Sequence, residues 1–144
     1  LHLCDRRQRQ MCIRDSTYTV PSTSSNVITV GSYNAATNTP SPFSGRGYVT
    51  QSESGIAVKP DIVAPGENVR IDERTIVSGT SYAVPFVTGA SALLMEWGIV
   101  RGNDLFLYGE KLKAHLIKGS LPLNGMNIPD DVTGWGKMCM AQSI

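Results

Sequence analysis

Ser78-Gly79-Thr80-Ser81-Tyr82-Ala83-Val84-Pro85-Phe86 is the stretch on which the fold turns. Before it, Arg74-Thr75-Ile76-Val77-Ser78 is short and rich in β-branched residues, a strand signal. Gly79 permits a tight turn. After it, Tyr82 to Trp97 carries no charge except Glu96, which predicts a buried helix. The order is strand, sharp turn, serine, helix. That order puts the Ser81 hydroxyl at the positive end of a helix, beside amides with no intrahelical partner. Such amides can stabilise the oxyanion formed when a serine attacks a carbonyl. The plainer role for a serine at a helix start is an N-cap. Pro85 tips the balance toward a nucleophile. It is expected in the first turn, where a missing N–H does little harm and the amides before it are left free.

Composition sets the outer limits. The chain has 144 residues, 41% hydrophobic and 17% charged, as an ordinary globular chain has. A net charge of +1 gives no reason to expect nucleic acid or an anionic membrane as partner. No apolar run approaches the ~20 residues of a membrane span. The three cysteines are odd in number and unclustered, which suits a reducing compartment.

Gly79-Thr80-Ser81-Tyr82-Ala83-Val84-Pro85-Phe86-Val87-Thr88-Gly89 resembles the serine motif of the subtilisin-like serine proteases, the subtilases. Tyr82 stands for the usual Met, and Phe86 for a His that is not the catalytic one. Lys59-Pro60-Asp61-Ile62-Val63-Ala64-Pro65-Gly66 is similar to a second block of that family. Asn26-Val27-Ile28-Thr29-Val30-Gly31 resembles the strand after its oxyanion-hole Asn. Phe43-Ser44-Gly45-Arg46-Gly47 resembles one of its turns. Gly134-Trp135-Gly136, followed by Ala141, resembles its closing segment. The principal blocks stand in family order between about Thr19 and Ala141. The block from Met95 to Asp104 resembles the clostridial type, which includes spore-germination proteases.

The resemblance implies a three-layer α/β fold with a mostly parallel sheet, of which residues 17–144 would be the C-terminal part. It implies a serine endopeptidase acting on polypeptides, with Ser81 as nucleophile and its own N–H in the oxyanion hole. Gly79, Thr80, Tyr82 and Pro85 would lie near the site. Tyr82 would either line the leaving-group side or pack in the core. The family often binds Ca²⁺ in loops. Here Asp130-Asp131 is the one adjacent pair of aspartates, and a hard cation needs six or more oxygens, so a solvated loop and no metal or other cofactor are expected.

Residues 1–16 do not belong with the rest. They hold four arginines, Cys4 and Cys12, and no apolar core of signal-peptide length. Two readings stay open for them, a foreign translated segment or a disordered basic tail. Elsewhere Val27 to Val30 reads as a strand ended by Gly31. Asn34 to Ser44 and Gln51 to Val58 read as loops. Ile62 to Ala64 reads as a buried strand closed by Pro65-Gly66, with Asp61 serving local backbone donors. The helix after Ser81 is apolar or small on every side, which predicts burial all round and a stop at Gly98. Phe106 to Lys118 reads as an amphipathic helix with Tyr108, Leu112 and Leu116 inward, ended by Gly119. Trp97 and Trp135 read as packing residues.

A serine needs a base, and the base a carboxylate. In the family both precede the serine, in the order Asp, His, Ser. Only His2 precedes Ser81, and its neighbours do not match the family's. Asp15-Ser16-Thr17 only superficially resembles the family's Asp segment. No Asn lies upstream of Asn26 to serve the oxyanion. Ser81, Asp104 and His115 stand in the order of another hydrolase class, but the second Gly of its serine motif is absent, and His115 reads as a surface residue. The chain as given is therefore expected to be inactive alone. The alternative is a non-catalytic homologue that binds or regulates a partner. Localisation and oligomeric state are open.

Overall fold

The computed structural model describes residue 17, residues 20–52 and residues 55–144. The 1–16 segment, with His2, Cys4, Cys12 and Asp15, lies outside the described residues.

The centre is a pair of parallel strands, β1 (Val30–Asn34) and β5 (Ile62–Glu67). Between them the chain makes β2 (Thr39–Pro40), β3 (Tyr48–Ser52) and β4 (Gly55–Lys59). β2 pairs antiparallel with the end of β1, giving a sheet in the order β2-β1-β5. The closing segment extends it beyond β5: the amide of Val63 donates to Gly136 and its carbonyl accepts from Met138. Alternate residues of β5 face opposite ways. Ile62 and Ala64 meet the helices, and Val63 meets Tyr33 and Leu123 on the other face. The sheet is thus sandwiched between helices and an irregular layer that carries Leu123 and Met126.

The first helix, α1 (Thr80–Met95), packs Ala83, Val87, Ala90 and Leu94 on this sheet. It runs into a π-helical turn, Glu96–Val100. The second helix, α2 (Glu110–Lys118), adds Leu112 and Leu116 to the same core. A small hairpin of β6 (Val69–Arg70) and β7 (Ile76–Val77) leads into α1.

Several expectations need correction. The first strand begins where Val27 to Val30 was expected to end, and Gly31 lies inside it. The stretch from Gln51 to Val58 forms most of the β3–β4 hairpin, because Tyr48 to Ser52 finds a full antiparallel register with Gly55 to Lys59. The Asn34 to Ser44 loop contains β2 and buries Ser41 and Ser44 in a hydroxyl network with Ser32. Pro65-Gly66 does not close β5. Bonds to β1 alternate along the strand, and Pro65 sits where no donor is asked of it.

The second helix starts at Glu110, after Gly109 at φ 57, ψ −128, so Tyr108 precedes it and is exposed. Gly98 is not a helix stop. It lies within the π-helical turn, where a Cβ would stand 2.7 Å from Leu107 Cδ2, so the bare backbone makes room for buried Leu107. Gly119 does end α2.

The largest correction concerns α1. Burial all round does not hold: Val84, Phe86 and Leu93 are 45%, 43% and 55% exposed. The sheet and α2 cover one face, and nothing among the described residues covers the flanks. With its π-helical extension, the Thr80–Val100 helix is 21 residues long and by length and composition could cross a membrane, unlike the run lengths expected above. Its Ala83–Leu94 face is instead seated on β1 and β5.

Candidate active site

The turn before Ser81 is built from two glycines. Gly79 adopts φ 158, ψ 151 and donates its amide to the carbonyl of Gly66 at 2.7 Å. Gly66 in turn is buried: a Cβ there would stand 2.5 Å from Ser32 Oγ and 2.8 Å from the Gly79 carbonyl. The end of β5 and the start of α1 therefore touch backbone to backbone.

Ser81 follows at the second residue of α1 and is solvent-exposed. Gly79, not Ser81, holds the N-cap position, and the helix has no side-chain cap. The plain N-cap role is thereby excluded. First-turn amides have no intrahelical acceptor, which leaves the N–H of Thr80 and of Ser81 directed outward at the helix mouth. An electron-rich oxygen held there would meet both a donor and the positive helix end.

Pro85 is placed differently from the expectation. Because the helix starts at Thr80, Pro85 is its sixth residue, not part of the first turn. The donor that would reach the Ser81 carbonyl four residues back is missing. Pro85 therefore frees an acceptor in the serine's own peptide rather than donors before it. Tyr82 is 38% exposed and lies over Gly79, so of its two expected roles core packing is not the one found.

A cavity of about 500 Å³ opens beside the serine, between α1 and the lead-in to β1. Thr17, Ser22, Thr29, Thr80 and Ser81 supply its hydroxyls, and Val27, Ile28, Val30, Phe43 and Val84 its apolar wall. Among the described residues no acid, base or other titratable side chain lines it. Asp104 and His115 are not brought to Ser81. Asp104 is paired with Lys111 at 2.6 Å, and that ammonium, through its hydrogen bond, holds the carboxyl below the usual aspartate value. His115 Nδ1 lies 2.9 Å from the Ser143 carbonyl and is half-buried, which corrects its reading as a surface residue.

A second cavity, of about 440 Å³, reaches a charged cluster that sequence reasoning caught only in part. Asp61 does serve a backbone donor, the amide of Thr29 at 2.6 Å. It also binds two ammonium groups, Lys59 at 2.7 Å and Lys113 at 2.6 Å. Each lysine makes two more hydrogen bonds: Lys59 to Val27 O and Thr29 Oγ1, Lys113 to Ser25 O and Val27 O. All three protons of each ammonium are spent, so the cluster is a clasp and not an anion site. Burial lowers the Lys59 pKa, against the opposing pull of Asp61. The Lys59-Pro60-Asp61 spacing could have suggested the near pair. Lys113, far along the chain, gave no signal.

No group of three or more His, Cys, Asp or Glu gathers among the described residues. Asp130 is tied into its own turn, accepting from the amides of Val132 and Thr133 and from Thr133 Oγ1, so with Asp131 it offers no ready oxygen cage for a hard cation. Trp97 packs against the core.

A sequence model of the subtilase family matches residues 13–136. Among curated proteins, the PI-type and PII-type proteinases of Lactococcus lactis subsp. cremoris are each 36% identical over 78 residues, 51% of this chain and 4% of theirs. Among solved structures, the Clostridium perfringens CspB protease is 46% identical with a TM-score of 0.74, covering 86% of this chain and 27% of that one. The prenylagaramide maturation protease PagA is 28% identical with a TM-score of 0.63, covering 87% of this chain and 44% of that one. The chain thus spans less than half the length of each.

Proposed function

The chain belongs to the subtilase family, and from that premise we propose that the whole protein hydrolyses peptide bonds by acyl transfer through Ser81. The observation that carries this is the position of Ser81: an exposed hydroxyl at the second residue of α1, uncapped, with first-turn amides directed at the same space. The hydroxyl attacks the scissile carbonyl, and the Ser81 N–H donates to the oxygen that becomes negative. The cavity beside it takes part of the polypeptide substrate against Val27, Ile28 and Val84.

The base, its carboxylate and a second oxyanion donor come from outside the described residues. Removing one such donor costs about 10²–10³ in turnover, and removing the base on the order of 10⁶. This chain alone is accordingly expected to show no measurable proteolysis.

A fluorophosphonate probe tests the reading. The whole protein should be labelled at Ser81, with labelling abolished by Ser81→Ala, and the 144-residue chain should react at background rate. A folded whole protein that leaves Ser81 unlabelled would make it the non-catalytic binding homologue instead.

A further inference from the structure

The stretch from Pro21 to Val30 is a partition between the two cavities. Pro21, Ser22, Val27, Ile28, Thr29 and Val30 line the cavity beside Ser81, and Thr23 and Ser25 line the other. The clasp stands on the far side of this partition, where Lys59, Asp61 and Lys113 line the second cavity. Its bonds run into the backbone of the partition itself. Val27 O accepts from both ammonium groups, at 2.9 Å from Lys59 and 3.3 Å from Lys113, and Ser25 O accepts from Lys113 at 3.0 Å. The Thr29 amide donates to Asp61. Thr29 Oγ1 accepts from Lys59 at 3.1 Å and donates to Ser22 O at 2.6 Å, so the chain of bonds ends at the rim of the serine cavity. Lys113 lies on α2 and Lys59 at the end of β4, so two separate elements hold one wall.

We propose that Lys113 and Lys59, joined through Asp61, are positioning residues for the substrate: they set where Val27, Ile28 and Thr29 stand beside Ser81. Thr23 to Asn26 are exposed, and Val27 and Ile28 are only partly buried. Apolar packing therefore fixes this stretch weakly, and directed bonds do it instead. Lysine suits the task, because one ammonium carries three donors and reaches carbonyls and a carboxylate at once. Bonds from a charged donor are also the stronger kind. The nucleophile hangs on a different support, the bond from the Gly79 amide to Gly66 O at 2.7 Å. The clasp thus bears on how the substrate is held and not on how the serine attacks. The proposal deepens the hydrolase reading and rests on it for this consequence.

The test compares Lys113→Met, Lys59→Met and Lys113→Arg, with Lys118→Met, exposed on the same helix, as the control. Each clasp Met variant leaves Asp61 one ammonium, and Lys59→Met carries the test by itself if Lys113→Met does not fold. In the whole protein the substrate is the best-cleaved member of a mixed fluorogenic peptide library. A misplacement of about 1 Å costs up to about 100-fold, so KM should rise at least ~10-fold in both clasp Met variants. Their kcat and their rate of fluorophosphonate labelling at Ser81 should stay within about 2-fold, the mark of lost binding rather than lost chemistry. Lys113→Arg keeps a cation with several donors and should recover most of the loss. In the 144-residue chain, the NMR methyl resonances of Val27 and Ile28 should shift in the clasp Met variants and return in Lys113→Arg, while those of Ala83 and Leu94 stay. Unmoved Val27 and Ile28 methyls, an unchanged KM, or equal losses in kcat and kcat/KM would overturn the proposal. Shifted methyls in the chain, with Ser81 of the folded whole protein unreactive to fluorophosphonate, would defeat the hydrolase reading and leave the positioning of the wall standing.

Discussion

Gly79 donates its amide to the carbonyl of Gly66 at 2.7 Å, so the last turn of the sheet and the first turn of the serine helix share one hydrogen bond. Gly66 has no room for a side chain, and Gly79 holds a φ of 158° that L side chains rarely adopt. Gly66→Ala would bring a methyl to 2.5 Å from Ser32 Oγ and 2.8 Å from the Gly79 carbonyl. Overpacking of this kind costs about 1–3 kcal/mol, and here it pushes on backbone that cannot yield without moving Ser81. Urea unfolding should show that loss. Gly89→Ala is the control: it lies in α1 with nothing within 4 Å of an added Cβ, and should stabilise by up to about 1 kcal/mol.

The Lys59–Asp61–Lys113 clasp makes an ordered prediction. Asp61 is 2% exposed and holds two ammonium groups and the Thr29 amide. Asp61→Asn strips the one negative charge from between two lysines. Leaving a buried charge without its partner costs about 3–5 kcal/mol. Lys59→Met instead leaves Asp61 paired with Lys113, and relieves a lysine whose burial already disfavours its charge. Chemical denaturation should therefore rank Asp61→Asn well below Lys59→Met. The reverse order would show that the clasp is not what joins β5, α2 and the lead-in to β1.

How much of this was legible in the sequence follows from the range of each interaction. The Ser81 turn and the apolar helix were readable because glycine chemistry and helical periodicity act over a few neighbours. The β3–β4 hairpin was hidden because Thr50, Gln51 and Ser52 are polar, and their pairing with Ala57, Ile56 and Gly55 depends on register rather than composition. Lys113 was hidden because its partner lies 52 positions away on another element. Pro85 was misplaced by the helix start: moving that start to Thr80 turned a harmless first-turn proline into an interior one. The α1 flanks show the limit in the other direction. Their apolar residues asked for cover on all sides, and the described residues provide it on one.

That partial cover is testable. Phe86 and Leu93 lie outside the core, whereas Ala90 faces the sheet. Leu93→Lys and Phe86→Lys should leave the unfolding midpoint of this chain within about 0.5 kcal/mol and should lower its binding of a hydrophobic dye. Ala90→Lys should unfold it, because a charge would enter the α1–β5 contact. In the whole protein Leu93→Lys should become destabilising if another segment covers that flank.

Acid should weaken one surface link. Lys111 holds the Asp104 carboxyl below its ordinary value of 3.8. A group with a lowered folded pKa contributes stability that is present above its unfolded pKa and is lost as pH falls through the folded value. Wild-type stability should thus fall below about pH 4, while Asp104→Asn should show a shallower acid slope and converge with wild type at the lowest pH. Denaturant midpoints between pH 6 and pH 2 would measure it; parallel slopes would remove Asp104 from the acid response.

Pro85 separates stability from reactivity. As the sixth residue of α1 it withholds the N–H that would bond the Ser81 carbonyl, and its ring crowds that carbonyl. Pro85→Ala supplies the bond and removes the crowding, so this chain should gain stability, by up to about 3 kcal/mol, the usual cost of an interior proline. If the serine's reactivity depends on a first turn that is not locked into the helix ladder, the same substitution in the whole protein should slow fluorophosphonate labelling of Ser81 while raising the unfolding midpoint. A faster, or unchanged, labelling rate alongside that gain would mean that the proline is tolerated at the serine turn without serving it.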